Sequence, residues 1–291
     1  RAGEAMARYA CIMNDLDRAA GRSGVGAVMG SKNLKAIALR GTNGVEVDDA
    51  DAFFAAVNAG KAALAENAVT GQGLPTFGTQ VLVNVMNEAG GFPTKNAQEV
   101  QFAGASRISG EAMHEKRPTD GKANLLTNQA CFGCTIACGR VAQMDKGHFS
   151  VADKPQYHGA SGGLEYEAAW ALGASTCIDD LEALTYANFL CNEHGMDPIS
   201  FGATVGAAME LFETGAITTK ETDGIELVFG SAEALVKITE LTGTAQGFGK
   251  EIGLGSKRLC EKYGKPDLSM TVKGQEFPAY DPRGIQGMGL T

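Results

Sequence analysis

The sequence predicts an α+β protein: a mainly α-helical domain over residues 46–291, following residues 1–45, which look like the edge of another domain. Three observations carry this. Helical apolar spacing dominates from about residue 164 onward. Period-two alternation is confined to two short runs, Leu34–Arg40 and Ser269–Lys273. The first 45 residues read as the edge of something else.

In chain order, Ala5, Met6, Tyr9, Ala10, Ile12 and Met13 space as a helix over residues 3–20. A glycine-rich turn follows over residues 21–32, then the strand at 34–40, which ends at Gly41. Residues 48–66 form an amphipathic helix, opened by Asp48, Asp49 and Asp51, whose charge suits the N-terminal dipole. Residues 71–78 are a loop, 79–89 a helix, 90–130 irregular and polar, and 139–163 a loop rich in Gly, Asp and Lys. Helices are then expected at 164–177, 179–194, 199–214, 230–242 and 246–263. No internal repeat or low-complexity tract appears.

Composition narrows the partners. The chain has 291 residues, 44% hydrophobic, and a net charge of −9. That length suits one long domain or two and can bury a large core without cross-links. The acidic balance argues against nucleic acid or an anionic membrane as the main partner. No apolar run reaches the ~20 residues of a membrane span, and the first 30 residues lack a signal-peptide layout. The chain opens at Arg1, inside an apparent helix, so a fragment or processed subunit is expected.

Seven cysteines, at 11, 131, 134, 138, 177, 191 and 260, are an odd number without secreted-scaffold spacing. A reducing, cytoplasmic compartment is expected. Cys131, Cys134 and Cys138 fall within eight residues; on a helix, spacings of three and four would gather the thiols near one face. Thiolates hold iron–sulfur clusters and zinc. Zinc usually takes two paired hooks, and no second hook is visible. Three clustered cysteines plus a remote one read best as a [4Fe–4S] site, against the alternative of three inert buried thiols. Cys177, Cys191 and Cys260 sit in helical patterns and read as core.

Gly24, Gly26 and Gly30 approach a dinucleotide fingerprint, but they follow a helix and precede a strand, the reverse of the required context. Lys32 lacks the setting of a P-loop lysine. Arg18, Arg22, Lys32 and Lys35 around these glycines leave two readings open: a phosphate cradle, or a glycine-rich turn with solvated cations.

Taken together, the segments Asn14–Ile37, Cys131–Val141, Glu165–Gly173, Cys191–Ser200 and Pro278–Gly284 resemble the tungsten-containing aldehyde ferredoxin oxidoreductase family, in the family's order. The resemblance covers almost the whole chain but only part of the family's length; an N-terminal β portion and a C-terminal helical domain are not included. It implies that residues 1–45 end a β-rich pterin-binding domain. It further implies a tungsten bis-pterin centre beside a [4Fe–4S] cluster, oxidising a small aldehyde to its acid and passing electrons to ferredoxin or an iron–sulfur subunit. Arg18 and Ala19 match the contacts to the pterin phosphates and their bridging Mg²⁺, the alanine through its backbone carbonyl. Cys131, Cys134 and Cys138 match three of four cluster ligands. Asn192, Gly195 and Asp197 match an acidic pterin loop whose usual pattern is Asp-x-x-Gly-Leu-Asp. Glu167 matches a catalytic glutamate near the metal, where a carboxylate can take the proton released on aldehyde oxidation. Without the resemblance, Glu165 and Glu167 read as an acidic first helical turn.

Three departures stand out. Asn192 replaces the usual aspartate. Tyr186 and Phe189 occupy positions where some relatives carry a Glu-x-x-His iron site at a dimer interface; a homodimer stays open. The family's fourth cluster cysteine and a histidine near the metal lie beyond Thr291. The alternatives are a molybdenum bis-pterin oxidoreductase, whose cluster sits nearer the N-terminus; a radical enzyme, whose cysteine spacing is reversed; and a non-catalytic iron–sulfur electron-transfer subunit.

Overall fold

Four helices begin where a short polar side chain accepts hydrogen bonds from its own first turn. These are α2 (Ala50–Glu66) behind Asp49, α6 (Leu181–His194) behind Asp180, α7 (Pro198–Glu213) behind Asp197 and α8 (Ala232–Gly243) behind Ser231. They belong to a computed structural model that describes residues 1–290. The remaining helices are α1 (Val25–Ser31), α3 (Leu74–Phe77), α4 (Leu82–Glu88), α5 (Tyr166–Leu172), α9 (Gly249–Ile252), α10 (Ser256–Lys262) and α11 (Gln286–Leu290).

The core lies among α5–α10. Helix α7 is buried along most of its length and packs on α5 and α10, while α6 packs on α8. The approach of α7 is close: a Cβ placed on Gly202 would lie 2.4 Å from the Ala171 carbonyl oxygen, and one on Gly206 would lie 2.7 Å from Ser175 Oγ. Gly202→Val should therefore push α5 and α7 apart. The expected cost is at least about 1–3 kcal/mol, the range for overpacking, read as a lower midpoint in urea unfolding.

The sheets are small and antiparallel. Strands β3 (Leu125–Gln129), β4 (Gly139–Gln143) and β5 (Ala160–Gly162) lie in that order, with Gln129 opposite Gly139. Two hairpins complete the set: β1 (Ile12–Asn14) with β2 (Arg18–Ala20), and β6 (Thr271–Val272) with β7 (Gln275–Glu276).

Several sequence expectations are corrected. Residues 3–20 are turns and the β1–β2 hairpin, not a helix. Their apolar spacing serves tertiary contact: Tyr9, Ala10 and Cys11 are buried, Ala10 bridges Met196, and the Cys11 amide donates to the Gly195 carbonyl at 2.8 Å. The glycine-rich stretch forms α1. There, Cβ atoms on Gly26 and Gly30 would lie 2.4 and 2.0 Å from the carbonyl oxygens of Cys11 and Gly3, so these two glycines permit close packing. Residues 34–40 have no regular structure and are exposed. The loop expected over 139–163 contains β4 and β5. The helix expected over 164–177 breaks at Gly173, and that over 246–263 breaks at Gly253–Gly255, where Gly255 has φ +79°. Helix α2 forms as expected but buries none of its residues, leaving Phe53 and Phe54 exposed. Among the described residues, no helix is long and apolar enough to cross a membrane.

Candidate active site

Four chain segments converge on one cavity of about 320 Å³. The return arm of the β1–β2 hairpin brings Asp17, Arg18, Ala19 and Arg22; β4 brings Arg140; the start of α5 brings Glu165 and Glu167; α6 and its junction with α7 bring Asn188, Asn192 and Asp197. The junction turns sharply because Gly195 takes the left-handed conformation, φ +73°, that caps α6. Its amide and that of Met196 satisfy the last carbonyls of the helix. Thus Arg18, Ala19, Glu167, Asn192 and Asp197 line one space, while Gly195 shapes the turn without lining it.

The acidic groups differ in their partners. Both oxygens of Glu167 accept from the Ala279 amide, at 3.2 and 3.1 Å. Burial lifts the Glu167 pKa to about 7, against the pull of that amide and of Arg22, with Asp197 adding to the rise. Asp197 caps α7 through Ile199 and Ser200, and lies 3.4 Å from Arg22 Nε. Burial still leaves its pKa raised. Glu165 accepts from Thr79 Oγ1 at 2.6 Å and faces Arg18 Nη1 at 3.5 Å; burial raises it too.

The cations are underpaired. Arg140 is 2% exposed; Nη1 donates to Asn128 Oδ1, but Nε and Nη2 have no partner among the described residues. Arg22 Nε and Asp17 Oδ1 are likewise buried without a hydrogen bond. Buried polar groups in folded proteins are nearly always satisfied. An unpaired carboxylate oxygen on Asp17 beside the Arg18 and Arg22 guanidiniums therefore fits a polar, anionic ligand such as a pterin bearing phosphates. Arg140, Asp17 and Thr79 carry no site reading in the sequence, and Arg22 is named there only in the glycine-rich cradle reading. Arg140 carried one signal: it stands two residues after Cys138.

Cys131, Cys134 and Cys138 lie in the loop joining β3 to β4, not on a helix. Gly133 and Ala137 adopt positive φ, +72° and +54°, which turns the chain back within nine residues. Cys131 and Cys134 are exposed and Cys138 half-buried. The Cys134 amide donates to the Cys131 carbonyl at 3.0 Å, and the Ile136 amide to Cys134 Sγ at 3.4 Å. Three accessible soft donors on one loop, with an amide already aimed at sulfur, fit three ligands of a cluster. Among the described residues, no three His, Cys, Asp or Glu side chains are arranged around one metal position. The other thiols are of a different kind. Cys191 is fully buried, and burial pushes Cys11 and Cys260 up to about 12 and Cys177 to about 11, which makes them unreactive.

Two features outside the cavity have structural explanations. His148 contacts Ser150 Oγ at 2.9 Å and Asp180 Oδ2 at 3.1 Å, but Ser150 is fully buried and Asp180 caps α6, so the trio clips a loop to a helix. Tyr186 and Phe189 stack edge-on around Tyr157, and Tyr186 donates to Glu240 Oε1 at 2.9 Å.

Two family models match this chain: the aldehyde ferredoxin oxidoreductase N-terminal domain over residues 1–41, and domains 2 and 3 of the same family over residues 55–291. The tungsten-containing aldehyde ferredoxin oxidoreductase of Pyrococcus furiosus is 46% identical over 290 residues, covering 99% of this chain and 45% of that protein. Its counterpart in Thermococcus kodakarensis is 45% identical with the same coverage. The WOR-like subunit of an aliphatic sulfonate oxidoreductase from Pyrococcus furiosus is 30% identical over 287 residues, covering 96% of this chain and 41% of that protein. Among solved structures, the active site complex BamBC of benzoyl coenzyme A reductase superposes with a TM-score of 0.72. It covers 96% of this chain and 41% of its own at 19% identity, a likeness of fold alone. The chain spans less than half the length of these relatives.

Proposed function

The chain belongs to the aldehyde ferredoxin oxidoreductase family, and from this premise we propose that it is the cofactor-bearing part of an enzyme that oxidises an aldehyde to its carboxylic acid. When bound, a tungsten bis-pterin centre supplies the two-electron redox chemistry, and a [4Fe–4S] cluster supplies the route to ferredoxin or an iron–sulfur subunit. The overall change takes aldehyde and water to carboxylic acid, two protons and two electrons. The observation that carries the reading is the cavity in which Glu167 stands near the Arg18 and Arg22 guanidiniums and an unpaired Asp17 oxygen. Residues 1–45 would end the β-rich pterin-binding domain, and residues 46–291 would form the mainly α domain.

In this reading Glu167 takes one of the two protons. Its pKa near 7 matches a base that must accept a proton and release it at neutral pH. The Ala279 amide holds the carboxylate in one orientation. Arg18 would bind anionic oxygens of the pterin, and the Ala19 carbonyl would help hold the Mg²⁺ at its phosphates. Asn192 and Asp197 accept from pterin ring N–H groups; Asp197 does so while capping α7, and Gly195 sets the turn that brings the two together. Cys131, Cys134 and Cys138 supply three cluster ligands. Metal, iron and pterin analysis of the protein purified anaerobically from its host tests the reading. A holoprotein carrying tungsten and pterin that forms acid from no aldehyde would overturn the activity while leaving the cofactors.

A further inference from the structure

We infer that Arg140 is a positioning residue for electron transfer: its guanidinium, lodged between Cys138 and the cavity, sets the reduction potential of the cluster held by the thiol loop. The inference rests on the [4Fe–4S] reading given above. Its ground is a place and an imbalance.

The place is a slot made by two glycines. A Cβ on Gly78 would lie 2.4 Å from Arg140 Nε, 2.9 Å from Arg140 Nη2 and 2.9 Å from the Cys138 carbonyl oxygen. The guanidinium and the backbone of Cys138 therefore meet over one glycine. On the other side, a Cβ on Gly163 would lie 2.7 Å from Arg140 Cβ. Neither site tolerates a larger residue without moving the arginine.

The imbalance is one of charge. Arg140 is 2% exposed, and its one hydrogen bond goes to the neutral amide of Asn128. Its Nε and Nη2 have no hydrogen-bond partner among the described residues. Glu165 is already held by Thr79 and Arg18. Glu165 therefore acts on Arg140 only through space; a buried cation without a hydrogen-bonded counter-charge is costly, and a guanidinium does not escape by losing its proton. A thiolate-bound cluster carries net negative charge and would supply the missing anion next to Cys138. Net charge and hydrogen bonding around a cluster set its potential. A fixed cation favours the reduced, more negative form and so raises the potential.

The test uses the protein purified anaerobically from its host, with Arg140→Gln and Arg140→Lys beside the wild type. Iron per chain is measured first, then the midpoint potential by a redox titration followed by electron paramagnetic resonance. The expected result is unchanged iron in all three, a lower potential in Arg140→Gln, and a return toward the wild-type value in Arg140→Lys. An unchanged potential in Arg140→Gln with iron intact would overturn the inference. Loss of iron from both variants would also overturn it, in favour of a purely structural arginine. Absence of iron from the wild type would instead overturn the cluster reading on which it rests.

Discussion

Glu167→Gln should lower turnover by about 10²–10⁴-fold, the usual contribution of a positioned acid or base, while metal and pterin content stay at wild-type levels. The same change should stabilise the protein at alkaline pH. Burial raises the Glu167 pKa from 4.5 to about 7, so the folded chain holds its proton longer than the unfolded chain. Stability therefore falls as pH rises from about 4.5 to about 7, and stays lower above that range. Keeping the carboxylate charged in the folded state costs at most roughly 3 kcal/mol. Glutamine removes that charge and still offers an oxygen to the Ala279 amide. Its Tm should exceed the wild-type value by several degrees at pH ~8 and match it near pH ~4.5. The wild-type rate should fall as pH drops below about 7, and that limb should vanish in the variant. Unchanged turnover would remove Glu167 from the chemistry. Lost turnover without the alkaline gain in Tm would contradict the burial argument.

The second large effect separates two kinds of cysteine. Cys131→Ala, Cys134→Ala and Cys138→Ala should each abolish most of the bound iron. Because the loop between β3 and β4 lies outside the core, each should change the stability of the iron-free protein by no more than about 0.5 kcal/mol. Cys191→Ser should do the reverse, since Cys191 is fully buried in the core and a hydroxyl there is left without an assured partner. It should cost about 1–3 kcal/mol and leave iron per chain unchanged. Iron analysis and urea unfolding on the same preparations distinguish the two patterns. Iron that survives removal of any of the three loop thiols would exclude that residue as a ligand.

Long helices were legible because two signals agreed on them. Helices α6, α7 and α8 have both an apolar face and a polar residue placed to cap the first turn, so local and tertiary preferences coincide. The N-terminal stretch misleads because Tyr9 and Ala10 fit helical spacing, yet residues 9–11 are buried by pairing with residues 195–197, a contact nearly two hundred positions away. Gly26 and Gly30 suggested a phosphate cradle but serve close backbone packing, which spacing cannot reveal. Within the site, Glu167 was named only through the family resemblance. In the structure it stands in the first turn of α5, as the alternative reading held, yet its oxygens turn to Ala279, 112 residues later. Arg140 was invisible as a site residue because its meaning lies in missing partners, and a sequence does not record which donors are left unused.

A pterin-bound metal and a cluster side by side on this chain would be visible in its metal and cofactor content. The most direct measurement is tungsten, molybdenum, iron and pterin per polypeptide, on protein purified anaerobically from its host with its intact mass determined alongside. About one tungsten, two pterins and four irons are expected. Molybdenum in place of tungsten would keep the pterin chemistry and change the metal. Iron with neither pterin nor tungsten would contradict the account and leave an iron–sulfur electron-transfer protein.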